Sequence, residues 1–169
     1  VGRSMGTTWS VKLLAHPDAL PTLGQGIQAQ LDEVVAQMST WEADSDLSRF
    51  NRAAAGTTRV LPQALCSVLE AALKLADDTG GAYDPTVGPL VNLWGFGPDG
   101  GRLAPPSRDE MAIARARVGW QRVPFAPVMR TAGQPGGCYI DLSSIAKGYG
   151  VDRVAQHLVA QGIDSFLVE

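Results

Sequence analysis

"YIDLSSIAKGYGVDRVAQHL", Tyr139 to Leu158, ends a short apolar run on an aspartate and then turns into a long amphipathic segment. The alternation in "CYIDL" predicts a strand, and the spacing after Ser143 predicts a helix that Gly162 stops. The expected strand delivers Asp141 to the mouth of that helix, whose first turn holds Ser144 and Lys147. Amides at a helix start carry partial positive charge and hold phosphate well. Lys147 adds a full charge, and Gly148 permits close approach. Asp and Ser are also ordinary helix caps, and capping alone would account for Asp141, Ser143 or Ser144. An anion site and a plain capped helix both fit this stretch by itself.

Downstream, "DSFLVE" reads as a strand with Phe166 and Val168 on one face and Leu167 on the other. The sequence stops inside that strand, so this is expected to be the first part of a longer protein. Upstream, "GTTWSVKLLA" alternates through Trp9, Val11 and Leu13 and predicts a strand. Leu20, Leu23, Ile27, Leu31, Val34, Val35 and Met38 fall in steps of three and four, one face of a helix. "STWEADSDLSRFN" is polar and rich in cap and turn residues. "TTRVL" predicts a short strand. Pro62 then opens a helix running to Gly80 and Gly81. "AYDPTVGPLVNLWGFGPDGGRLAPP" is Gly- and Pro-rich but strongly apolar, which predicts an ordered loop with a short helix. Ser107 and Glu110 have capping-box spacing for a helix to about Val118. "WQRVPF" and "VMRTA" predict strands of a meander. Helices and strands mix without regular β-α-β spacing, so the fold class is α+β.

The chain has 169 residues, enough for one domain with a core, with 45% hydrophobic and 18% charged residues. A net charge of −3 argues against a nucleic-acid binder that works by neutralising phosphates. No apolar run approaches the length of a transmembrane helix. No charged, apolar, small-residue leader opens the sequence, so a signal peptide is expected either to have been removed or never to have existed. Cys66 and Cys138 lie far apart with no C-x-x-C pair, which argues against a zinc or redox motif; two free thiols are expected, with one disulfide as the alternative. His16 and His157 have no metal-ligand or triad spacing, and His157 is expected on a solvated helix face. The glycine-rich fingerprints of common nucleotide sites are missing.

Two further stretches could carry chemistry. In "GGAYDPTVGPL", Asp84 precedes Pro85, which fixes the backbone, and Gly81 and Gly88 permit unusual dihedrals or close contact. Such a loop can hold a carboxylate against a polar ring, or it can be a helix stop followed by an Asx-Pro turn. In "MSTWEADSDLSRFN", Trp41 stands among polar residues, where it either covers a planar ligand or caps a core edge. Met5 is either a flexible filler or a soft contact for an aromatic ring.

Taken together and in this order, "MGTTWSV", "MSTWEADSDLSRFN", "GAYDPTVGPLVNLWGFG" and "YIDLSSIAKGYGVDRVAQHL" resemble the FAD:protein FMN transferase family, also called ApbE. The resemblance spans nearly the whole chain and implies an α+β fold related to the T-fold. It makes residues 1–169 the N-terminal part of a single flavin-transferase domain. It implies Mg²⁺-dependent transfer of FMN from FAD to a threonine or serine hydroxyl of a target flavoprotein, with release of AMP. Residue by residue, it places Met5 and Trp41 near the FAD rings, and Trp41 stands where the family often has tyrosine. Ala82, Tyr83 and Asp84 match an Ala-Phe-Asp-type FAD contact, with Tyr for Phe. Asp141 and Lys147 match FAD-binding positions, and Ser144 a position beside the metal. The anion of the opening stretch is then the FAD diphosphate.

The family's other Mg²⁺ ligands, an aspartate and a threonine, and a histidine near a D-P-R-T-G-type motif belong to a later half absent from this sequence. A second chain supplying that half is one expectation. Many family members are lipoproteins of the bacterial cell envelope, so the periplasmic side, with membrane association only through a lipid anchor, is expected. An FAD-binding module or flavin carrier without transferase activity, and a Mg²⁺-dependent FAD pyrophosphatase using water as acceptor, are the alternatives.

Overall fold

The computed structural model describes residues 1–98 and 100–169. They divide into two compact units, Val1–Ala36 with Ser143–Glu169, and Gln37–Leu142. Helices and small antiparallel sheets occur in both, so the class is α+β.

In the first unit, β1 (Gly2–Ser4) and β2 (Thr7–Trp9) form a hairpin in which Ser4 faces Thr7. Its two-residue loop is Met5 at φ 50° and Gly6 at φ 72°, the double positive φ of the turn whose twist suits a hairpin. A methionine there costs about 1–2 kcal/mol of backbone strain, and Met5 offsets this by packing on the core. β3 (Val11–Leu13) pairs antiparallel with the strand Phe166–Val168, Val11 opposite Val168 and Leu13 opposite Phe166. The single strand expected in "GTTWSVKLLA" is therefore two, because its partner changes at Ser10, whose N–H donates to the Glu169 carbonyl at 2.8 Å.

Helix α1 (Leu20–Met38) starts and ends as its periodicity predicts. Leu23, Ile27 and Leu31, one turn apart, form a core with Val154 and Leu158 of the helix Ala146–Ala160. Each fully buried aliphatic side chain contributes about 1.5–3 kcal/mol of transfer free energy. Gly26 lies directly beneath His157, where a Cβ would come within 2.2 Å of the imidazole Nε2. His157 is thus half-buried against α1 and not on a solvated face. The sequence signal misled because histidine polarity says nothing of the small residue opposite it.

In the second unit, α2 (Asp46–Asn51) is a short helix that the polar composition of its segment concealed. Ser45 caps it, its Oγ accepting the Ser48 N–H at 2.9 Å. β4 (Thr58–Val60) pairs with the strand Thr131–Gly133, which also pairs with Phe125–Ala126. Helix α3 (Gln63–Asp78) has Pro62 as its N-cap and buries Leu65, Val68, Leu69 and Ala72. α4 (Gly88–Leu93) is the short helix expected inside the Gly/Pro-rich loop. α5 (Arg108–Arg115) begins with the complete capping box of Ser107 and Glu110. Arg102 adds a two-pronged contact to the Glu110 carboxylate at 3.0 and 2.9 Å. This hydrogen bonding, with the Ser107 amide, holds the Glu110 carboxyl down at about 2. Numbered on in chain order, Phe125–Ala126 is β5, Thr131–Gly133 β6, Ala146–Ala160 α6 and Phe166–Val168 β7.

Three expected strands differ. Most of "WQRVPF" is a single tight turn, Trp120–Arg122, followed by the two residues of β5. In "VMRTA", a second tight turn ends on Arg130 at φ 52° before β6 begins. "CYIDL" forms no strand. Its alternation is real, since Cys138, Ile140 and Leu142 are buried. Its backbone partners, however, are a side chain and a loop. The Asn51 amide donates to the Ile140 carbonyl at 2.9 Å and accepts the Ile140 N–H at 2.8 Å. The Asp141 N–H donates to the Pro85 carbonyl at 2.8 Å. Asn51 mimics one peptide of a neighbouring strand, which satisfies the buried backbone without a ladder. Among the described residues, no helix is long and apolar enough to cross a membrane.

Candidate functional site

The loop between α3 and α4 is built to hold one carboxylate still. α3 ends with the Thr79 hydroxyl donating to the Leu75 carbonyl at 2.8 Å. The same oxygen accepts the Tyr83 N–H at 3.2 Å, which draws the chain around the corner. Gly80 and Gly81 take φ of 58° and 84°, the left-handed values that end a helix. Gly81 has a second role, since a Cβ there would lie 2.5 Å from the Trp120 ring. Ala82 is exposed, and Tyr83 and Asp84 are half-buried. The Asp84 Oδ1 accepts the Thr86 N–H at 2.8 Å and the Thr86 hydroxyl at 2.6 Å. The Thr86 hydroxyl in turn accepts the Gly119 N–H at 2.7 Å. Pro85 and Thr86 are fully buried. At the far end of the loop, Gly88 lies against Tyr139, with room for no side chain.

Within this unit the Pro85–Asp141 backbone hydrogen bond joins two of the expected site residues' segments, those of Asp84 and Asp141. Ala82 and Tyr83 share the Asp84 loop. Trp41, also in this unit, sits on a turn knotted by Ser39. The Ser39 Oγ accepts the Trp41 and Glu42 N–H groups at 3.0 and 3.1 Å. The Ser39 carbonyl accepts the hydroxyls of Ser45 and Ser48. Trp41 is 65% exposed, so it does not cap a core edge. A rigid backbone presents a large flat ring to solvent, which costs hydrophobic free energy that a planar ligand would recover. A groove of about 390 Å³ runs between α4 and α5, its lining including Pro89, Asn92, Ile113, Arg117 and Tyr139.

The other expected site residues belong to the first unit. Met5 packs on the α1–α6 core, its Cε 3.0 Å from where a Cβ at Gly150 would stand. Ser144 lies in the turn before α6 and is exposed. α6 begins after Ile145, which makes no side-chain cap hydrogen bond. Lys147 is the second residue of α6, exposed, and in no ion pair among the described residues. A Cβ on Gly148 would meet nothing within 4 Å, so the surface beside Lys147 is open. Among the described residues, no three His, Cys, Asp or Glu side chains come together to hold a metal ion. A hydroxyl such as that of Ser144 would be one oxygen of a wider ligand set.

Sequence reading passed over Thr86, Asn51 and Tyr139. Thr86 had a usable signal, because an Asp followed two residues later by Thr is an Asx-turn pattern. Asn51 had none, since its partner Ile140 lies 89 positions away.

The thiols are free, as expected, and both are buried. Burial pushes Cys138 up to about 11 from an ordinary 9.0, with Arg122 opposing and Asp84 adding to the rise. Folding therefore favours the protonated thiol. That contribution is complete below pH 9 and is lost as pH rises through about 11. Urea titrations between pH 9 and 11 should show a smaller alkaline loss of stability in Cys138→Ser than in the parent. Equal slopes in the two proteins would contradict the buried-thiol account.

The ApbE family model matches residues 5–169 of this chain. The chain is 41% identical to the FAD:protein FMN transferase of Vibrio cholerae, over 99% of its own length and 51% of that protein. It is 39% identical to the FAD:protein FMN transferase of Haemophilus influenzae, over 99% of its length and 51% of that protein. The solved flavin transferase ApbE from V. cholerae superimposes with a TM-score of 0.94 at 40% identity, covering 99% of this chain and 55% of that one. The apo flavinyl transferase ApbE of Pseudomonas stutzeri gives 0.89 at 38% identity, covering 99% and 54%. The chain thus spans about half the length of the curated relatives it matches.

Proposed function

This chain belongs to the ApbE family, and from that premise we propose that it is the N-terminal part of a flavin transferase that moves FMN from FAD to a threonine or serine hydroxyl of a target flavoprotein. The observation that carries the reading is the immobilised Asp84 carboxylate, on a loop bonded through Pro85 to the backbone of Asp141. Both residues match FAD contacts in the resemblance, and the bond from the Thr86 hydroxyl to Oδ1 is more than an Asx turn needs. On the resemblance, Ala82, Tyr83, Asp84 and Asp141 would contact FAD, with Met5 and Trp41 near its rings. Lys147 and the amide end of α6 would face the diphosphate.

In the reaction, the acceptor hydroxyl oxygen attacks the FMN phosphorus. The bond from that phosphorus to the bridging oxygen breaks, AMP leaves with the oxygen, and the hydroxyl proton is released. Such transfers depend on positioning and on neutralising charge that builds on the leaving oxygen. Mg²⁺ would supply further neutralisation, with Ser144 as its neighbour. This chain's own share would rest on Lys147 and the α6 amides. We place the protein on the periplasmic side of a bacterial envelope, on the family resemblance alone.

Two measurements test the reading. Incubating the full-length protein with FAD, Mg²⁺ and a flavoprotein acceptor should add the mass of FMN to a threonine or serine and release equal AMP. FMN and AMP appearing free, with no labelled acceptor, would make water the acceptor instead. Asp84→Ala should weaken FAD binding by about 10–100-fold, the loss of hydrogen bonds to a charged group. Asp109→Ala, in the exposed first turn of α5, should not. Equal affinities would return Asp84 to a turn former.

A further inference from the structure

We infer that Thr86 is the positioning residue for the Asp84 carboxylate, an inference that rests on the reading of Asp84 as a flavin contact. Thr86 lies fully buried between Asp84 and Gly119. A simple Asx turn needs only the bond from the Thr86 N–H to Oδ1, at 2.8 Å. The second bond, from the Thr86 hydroxyl to the same oxygen at 2.6 Å, is surplus to the turn. It ties down the carboxylate, not the backbone.

The direction of that hydroxyl is forced. Gly119 N–H can only donate, and it donates to the Thr86 oxygen at 2.7 Å. An ionised carboxylate can only accept. The single hydroxyl proton between them must therefore point at Asp84. No water competes at a residue with no exposed surface. With Oδ1 held by two donors, rotation about the Asp84 side chain is blocked and Oδ2 keeps one direction. Pro85 removes the remaining freedom by fixing φ between the two residues. Preset geometry of this kind raises affinity because the ligand need not order the group that binds it.

The chain is thus Gly119 to Thr86 to Asp84, and its purpose is to aim a carboxylate that touches the flavin. A purely structural Thr86 would matter to folding whatever residue stood at position 84. The test measures FAD affinity and unliganded thermal stability in the full-length protein for Thr86→Val, Thr86→Ser, Asp84→Ala and the double variant Asp84→Ala with Thr86→Val. Thr86→Val keeps the shape and deletes the hydroxyl, and should weaken FAD binding by about tenfold. Thr86→Ser restores the hydroxyl and should bind within about threefold of the parent. In the Asp84→Ala background, Thr86→Val should cost no further FAD affinity, although its thermal cost persists.

Parent-like FAD binding by Thr86→Val, with Asp84→Ala impaired, would overturn the positioning role and leave the flavin reading standing. An undiminished Thr86→Val effect on affinity in the double variant would also overturn it. Parent-like binding by Asp84→Ala would remove the flavin reading, and this inference with it. If Thr86→Val does not fold, Thr86→Ser still decides, because a loss as large as that of Asp84→Ala despite a retained hydroxyl refutes the role.

Discussion

Lys147→Met in the full-length protein is expected to leave the fold intact, weaken FAD binding by about 10–100-fold, and slow FMN transfer further still. Lys147 is the second residue of α6, exposed and outside any ion pair among the described residues. A cation in a first turn opposes the helix dipole, so its removal alone should be neutral or slightly stabilising. Methionine keeps the length and helix propensity of the stem. Deleting a charge-assisted hydrogen bond to a phosphate costs about 1.5–3 kcal/mol in binding. Charge grows on the leaving phosphate as the bond breaks, so the rate should fall more than the affinity. Thermal stability without ligand, FAD affinity and single-turnover transfer on one variant separate the two accounts. An unchanged transfer rate would leave α6 an ordinary helix start and the diphosphate reading wrong.

Gly88→Ala is expected to lower the melting temperature by about 4–12 °C, the effect of roughly 2–3 kcal/mol of overpacking in a chain this size. A Cβ at Gly88 would stand 2.2 Å from the Tyr139 Cδ1 and 2.7 Å from the Tyr139 carbonyl oxygen. The ring can rotate away, but the carbonyl belongs to the backbone that leads to Asp141. Relief must come from moving the Asp84 loop away from the Tyr139–Asp141 segment, which strains the Pro85–Asp141 hydrogen bond. FAD affinity should therefore fall together with stability. Gly24→Ala is the control, since a Cβ there meets nothing within 4 Å. A Gly88→Ala protein as stable as Gly24→Ala would mean that the two segments are not held in close contact.

The long helices and the capping box follow from the amino-acid sequence alone. Leu23, Ile27 and Leu31 repeat at the helical period, and Ser107 meets Glu110 at capping distance because both partners lie within one turn. Local spacing encodes local geometry, so such features need no knowledge of the rest of the chain. The motif stretches likewise carried the family, because their order along the chain is itself the signal.

Tertiary structure decided what local spacing could not. The alternation of Cys138, Ile140 and Leu142 foretold burial correctly, but whether a backbone pairs with a strand or with the Asn51 side chain depends on what folds beside it. Trp41 and His157 went opposite ways for the same reason. The tryptophan stayed exposed on its serine-knotted turn, while the histidine found Gly26 opposite and packed down. Asp84 was visible in the sequence as a carboxylate framed by glycine and proline. Its aim was not, because that direction comes from an amide at Gly119, 33 residues beyond Thr86, acting through a buried hydroxyl. Hydrogen-bond direction is a property of groups brought together in space, and only the folded chain brings them together.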